Sequence, residues 1–121
     1  METGKKNIKL TKISVRMRKI IKDESWFNSP SKMYAFAVSV HLKKFKSGEA
    51  PSLVDIDAET GLAANTFDPD QDLSKLVRIY HPSAEKNNDT IESWINSGFE
   101  IMYANYIQST FFDLEDYFPE E

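Results

Sequence analysis

Polar and apolar residues alternate over Asn7-Ile8-Lys9-Leu10-Thr11. A period of two predicts a half-buried strand, with Ile8 and Leu10 facing a core and Asn7, Lys9 and Thr11 facing outward. So short a strand needs a partner, and no obvious one lies in the same chain. From Thr11 or Ser14 the period lengthens. Ile13, Met17, Ile20 and Ile21 fall at i, i+4, i+7 and i+8, which predicts an amphipathic helix with Arg16, Arg18, Lys19 and Lys22 off its apolar stripe. Asn28-Ser29-Pro30-Ser31 then punctuates the chain. Ser29 suits the N-cap of a second helix and Pro30 its first turn, where no amide hydrogen bond is lost. That helix runs through Met33, Phe36, Ala37 and Val40 towards Phe45, with Lys43, Lys44 and Lys46 near its negative end and Gly48 as its stop.

Residues 47–72 break the pattern with Gly48, Pro51, Gly61 and Pro69 among acids, a long connection with one helical turn near Leu62. Asp72 is placed to cap a short helix carrying Leu73, Leu76, Val77 and Tyr80, closed by His81-Pro82. Asp89-Thr90-Ile91-Glu92 has the spacing of a capping box and opens a final helix with Ile91, Ile95, Gly98 and Met102 on one stripe. Gly98 marks a point of close packing within it. The fold class expected is mainly α: a short N-terminal strand followed by two helices, ribbon-helix-helix-like, with additional C-terminal helices. It forms a single domain over residues 1–121, comprising a basic ribbon-helix-helix-like part (1–46), an acidic connection (47–72) and an acidic helical part (73–118).

Composition narrows the function. With 121 residues, 40% hydrophobic and 28% charged, the chain has the size and balance of one globular domain. No apolar run approaches the roughly 18 residues of a membrane helix. There is no cysteine, which excludes disulfides, thiol catalysis and thiolate metal sites. With no apolar signal segment behind the first lysines, a cytoplasmic location is expected. The net charge of −4 hides a division: residues 1–46 hold twelve bases against three acids (+9), and the remainder three bases against sixteen acids (−13). A basic half of this kind points to double-stranded DNA. The bland alternative is a solvated basic face. The candidate contacts are Lys5, Lys6, Lys9, Thr11 and Lys12 around the strand, and Arg16, Arg18 and Lys19 on the first helix. Ser29, Ser31 and Lys32 would anchor a phosphate at the second helix's N-terminus, with Lys43 and Lys44 at its far end.

Candidate chemistry is thin. His41 and His81 stand forty residues apart. The acidic stretches Asp55-Ile56-Asp57-Ala58-Glu59 and Asp68-Pro69-Asp70-Gln71-Asp72 lack the glycine and the bidentate glutamate of a calcium loop and read as acidic turns with helix-capping duty. There is no phosphate-cradling glycine loop and no nucleophile–base signature, so no catalytic residue, metal or cofactor is expected and the chain does not read as an enzyme.

Several segments taken in order resemble the DndE family, the small subunit of bacterial DNA sulfur modification (phosphorothioation) systems. They are Ile8-Lys9-Leu10-Thr11 with the basic helix behind it, Phe27-Asn28-Ser29-Pro30-Ser31, Phe36-Ala37-Val38-Ser39-Val40, Asp57-Ala58-Glu59-Thr60-Gly61-Leu62 with Asn65 and Thr66, and Trp94-Ile95-Asn96-Ser97-Gly98. The chain departs from the family where arginines are expected, beside Ala64 and Asn65 and at Ser97. The resemblance implies a ribbon-helix-helix-like fold, a homo-oligomer, DNA binding through surface lysines, and partnership with the larger subunits of a modification complex. Two other readings fit the pattern: a ribbon-helix-helix transcriptional repressor or antitoxin, and a docking module whose basic face meets an acidic protein.

Overall fold

The computed structural model describes residues 7–57, 60–82 and 87–108. Lys5, Lys6 and the aromatic-acidic tail lie outside them. The order is β1 (Asn7–Ile8), α1 (Lys12–Asp23), α2 (Pro30–Lys44), β2 (Leu62–Ala63), α3 (Ala64–Phe67), α4 (Asp72–Tyr80) and α5 (Asn87–Gln108). The protein is mainly helical, with one small antiparallel sheet.

Everything is arranged around α5, against which α1, α2, α4 and β1 all pack. From Ile91 to Met102 this helix is buried on almost every side, including Trp94, Ile95 and Phe99. A helix enclosed all round is a core helix and not an amphipathic surface one. Gly98 explains how α2 comes so close. A Cβ built on it would overlap the carbonyl oxygen of Ala37, so only glycine lets the two backbones meet there. Tyr34 packs edge-on against Phe99, with ring centroids 6.0 Å apart, further along the same contact.

The two N-terminal helices start as their sequences require. The Thr11 hydroxyl accepts the Ser14 amide at the start of α1, and Ser29 accepts the Lys32 amide at the start of α2, with Pro30 in the first turn. Gly48 takes φ +77° just past α2, a conformation that leaves Tyr80 packed where a side chain would stand. Ile13 is 37% exposed, so the buried face of α1 is Ser14, Met17 and Ile21 rather than a stripe beginning at Ile13.

Four expectations are corrected. β1 finds its partner inside the chain: Asn7 pairs with Ala63 and Ile8 with Leu62, and Thr11 bridges to Ile56. Ile8 and Leu10 are buried as expected, but Thr11 is buried too, 1% exposed, because its side chain caps α1 and reaches Glu100 at 2.6 Å. The cap of α4 is Asp68 rather than Asp72. Its carboxylate accepts the amides of Leu73 (2.8 Å) and Ser74 (3.0 Å), while Gln71 turns the chain through a left-handed conformation. Finally, α5 begins at Asn87, and Glu92 does not close a capping box but accepts the Lys9 amide at 2.7 Å.

Replacing Gly98 with Ala is expected to destabilise the fold by about 1–3 kcal/mol, since overpacking against Ala37 outweighs the better helix propensity of alanine. Denaturant unfolding of both proteins measures this, and an equal or raised stability would show that the two backbones are not in contact.

Candidate nucleic-acid interface

The strand is fastened before α1 begins, and this sets where the basic side chains point. Asn96 is fully buried in α5; its Oδ1 accepts the Thr11 amide at 2.8 Å and its Nδ2 donates to the Lys9 carbonyl at 2.9 Å. On the other side of the strand the Thr60 hydroxyl accepts the Leu10 amide at 2.9 Å, and the Asp57 amide donates to the Leu10 carbonyl at 2.8 Å. The Lys12 amide donates to the Asp55 carbonyl. The helix that follows therefore leaves a fixed point with its Ser14–Met17–Ile21 face turned inward.

Its opposite face is basic. Lys12, Arg16 and Lys19, at i, i+4 and i+7, are all exposed and form one row, with Lys22 beside its end. Lys9 is exposed just ahead of them. Over twelve residues the row extends along a helix of about 18 Å. Lys19 is paired with Asp23 at 3.0 Å, but both side chains are well exposed, and such pairs exchange readily for a competing anion. The row runs towards the N-terminus of α2. There Lys22, Ser25, Asn28 and Ser29 line a notch of about 180 Å³ at the positive end of a fifteen-residue helix. That end, with a lysine beside it, suits a phosphate oxygen.

The other expected contacts separate from this row. Thr11 is buried, and Arg18 turns inward to donate to the Tyr34 hydroxyl at 3.3 Å. Ser29 and Ser31 sit together, 3.4 Å apart, with Lys32 exposed in the same turn. Lys43 lines a cleft between α2 and α4, and Lys44 lies over the Phe45 ring, 5.7 Å from its centroid. The structure thus joins Lys12, Arg16 and Lys19 with the α2 N-terminus and leaves Lys43 and Lys44 at α2's far end. Lys22 belongs to the row and was not among the candidates; its position three residues after Lys19 is the signal for it.

The histidines serve the scaffold. His41 is buried, stacked on Phe45 and Trp94, with centroids 4.9 Å and 5.9 Å away. Its Nε2 faces the Glu49 carbonyl at 2.7 Å, which can only accept, so Nε2 carries the proton and Nδ1 accepts from the Ser97 hydroxyl at 2.7 Å. His81 Nε2 and Trp94 Nε1 both donate to the Gly48 carbonyl, at 2.8 and 3.0 Å. These bonds tie the end of α2 to α5 and α4. Among the described residues no group of three His, Cys, Asp or Glu side chains is placed to hold a metal ion, and no helix is long and apolar enough to cross a membrane.

The arrangement is a helical scaffold with a cationic row along one exposed helix face. Compared with protein-family models, curated proteins and solved structures, the chain matches none.

Burial holds the His41 pKa below its ordinary value of 6.5. The unfolded chain therefore binds more protons than the folded one as pH falls through the range just below 6.5, and stability drops there. A His41→Phe variant, destabilised overall through its orphaned Ser97 and Glu49 partners, is expected to show a shallower loss of stability between pH 7 and about 5.5. Urea unfolding across that range checks it; parallel pH profiles for the two proteins would show that His41 is not held neutral.

Proposed function

We propose that this chain is a DNA-binding accessory subunit of a DNA sulfur modification system, gripping the phosphate backbone with the outer face of α1. The observation that carries the reading is the row Lys12–Arg16–Lys19, continued by Lys22 to the N-terminus of α2. Side chains of this kind, on the outside of a helix and without a shaped set of hydrogen-bonding partners around them, suit backbone charge rather than base edges. The resemblance to the DndE family supplies the modification system, its larger subunits as partners, and a homo-oligomeric state. The reading assigns no catalytic step to this chain.

The rival ribbon-helix-helix repressor or antitoxin needs the strand main chain free to pair with a second copy, and Asn7, Lys9 and Thr11 turned outward to read bases. The amides of Lys9, Leu10, Thr11 and Lys12 are all bonded within the chain, and Thr11 is buried. This favours backbone binding over a groove-reading ribbon.

Titrating fluorescent duplexes, intact and nicked, across a salt series tests the reading. Affinity should fall steeply with salt, and Arg16→Ala/Lys19→Ala should weaken binding to every duplex about equally while lowering the log–log slope by about two. Absence of binding at low salt overturns the proposal. A loss confined to one duplex sequence would favour the repressor.

A further inference from the structure

Three helix ends gather at one end of the molecule. Trp94 stacks on His41, Gly98 meets Ala37 and Phe99 meets Tyr34, so α5 runs antiparallel to α2 and finishes by the N-terminus of α2. α1 starts level with Asn96, through Thr11 and Ser14, and by Arg18 it has come level with Tyr34. The close of α1 therefore lies at the same end. From Ala104 to Gln108 the last turn of α5 is exposed, Ile107 by 63%. Chain continuing from Gln108 sets out from the end of the molecule that carries Lys22 and the notch lined by Phe27, Pro30 and Met33.

Residues 109–121 carry five acids, four aromatic rings and no base. The row on α1 has the complementary charge, and reach decides which basic surface they meet. An extended chain covers about 3.3–3.6 Å per residue, so Asp113 lies within about 18 Å of Gln108 and position 121 within about 45 Å. From Lys22 back to Lys12 the row rises only about 15 Å, whereas Lys43 stands about 20 Å further along α2 from its N-terminus. Asp23 already engages Lys19 at 3.0 Å, so contact falls on Lys22, Arg16 and Lys12. Phe111 and Phe112, within about 10–14 Å of Gln108, can reach the notch. Single exposed ion pairs are weak, but a short tether holds the segment at millimolar effective concentration, where several weak contacts together suffice.

We infer that residues 111–121 lie along the outer face of α1, their phenylalanines at the notch and their carboxylates against Lys22, Arg16 and Lys12, so that the chain covers its own cationic row. Any polyanion that takes the row must displace this segment first. The contact rests on where α1 and α5 end and on the charge of the two segments, not on what else the row binds.

Because the chain has no cysteine, Glu121→Cys gives a single site for a nitroxide label on the full chain, and paramagnetic relaxation of the backbone amides reads the contact. At about 20 mM salt the Lys12 and Arg16 amides should broaden strongly while the Val77 amide in α4 does not, and in about 1 M salt, where the Debye length is about 3 Å, the broadening should shrink several-fold. Adding Asp113→Asn/Glu115→Gln/Asp116→Asn keeps the label and the tether length and should abolish it, with the amide spectrum itself reporting an intact fold. Broadening on α1 in a chain that binds no duplex would strike the DNA-binding reading alone and leave this contact standing. Lys12 and Arg16 amides unaffected at low salt, broadening that survives neutralisation of the three acids, or broadening passed from a labelled chain to an isotope-enriched wild type mixed with it would each overturn the inference.

Discussion

Two polar side chains in the middle of a buried helix do for the N-terminal strand what a neighbouring strand would do. Glu92 takes the Lys9 amide, and one turn later Asn96 takes the Thr11 amide and returns a donor to the Lys9 carbonyl. Spaced at i and i+4, they present acceptor, donor and acceptor in the repeat that an extended chain needs. The alternative is severe. Thr11 and Leu10 are buried, and an unpartnered main-chain group there costs about 1–3 kcal/mol. Asn96 is itself satisfied, its second Nδ2 hydrogen going to the Glu92 carbonyl at 2.9 Å. The polar network is closed, which is the condition under which a buried asparagine orders a core instead of weakening it.

The clamp fixes more than the strand. Thr11 is held at its amide by Asn96 and at its hydroxyl by Glu100, so the N-cap of α1 is tied to α5 through two bonds. The Ser14 hydroxyl reaches the Asn96 carbonyl in turn, at 3.4 Å. With its first turn anchored this way, α1 can rotate little about its axis, and the Lys12–Arg16–Lys19 face is committed to solvent. On the far side of α5, Gly98 lets α2 approach, and His41, Ser97 and Trp94 fix where α2 ends. One helix thus sets both the direction of the cationic row and the spacing of the α2–α4 cleft.

Much of this was legible in the chain. Period-two alternation over Asn7–Leu10, the Ser29-Pro30 start and the close-packing role of Gly98 all came from local rules that tertiary structure did not override; at Thr11 it did, because the cap of α1 takes that side chain inward. The partner of β1 did not, because Leu62-Ala63 is two residues long and carries no alternation of its own. Its position is set by Thr60 and Asp57, hydrogen-bonding residues in a loop without periodicity. Glu92 read as the acid of a capping box rather than a partner of the strand, and Asn96 went unassigned for a related reason. A polar residue inside an apolar helix is ordinarily assigned to the solvent side, and nothing in a single helix tells that it faces a strand some eighty positions away. The trace of it was the Trp94-Ile95-Asn96-Ser97-Gly98 segment, where asparagine and glycine flank one serine. For the cationic row, charge counting pointed to α1 but could not separate Arg18 from Arg16, because Arg18 turns inward to bond Tyr34.

The central claim is that α5, and not a second chain, satisfies the strand. Amide hydrogen exchange on Asn96→Ala, residue by residue and against wild type, addresses it directly. Lys9 and Thr11 should both be strongly protected in the wild type; in the variant the Thr11 amide, whose acceptor is Asn96, should lose its protection selectively, with the Val77 amide in α4 far less affected. Protection of Thr11 that survives the substitution, and that rises with protein concentration, would contradict this.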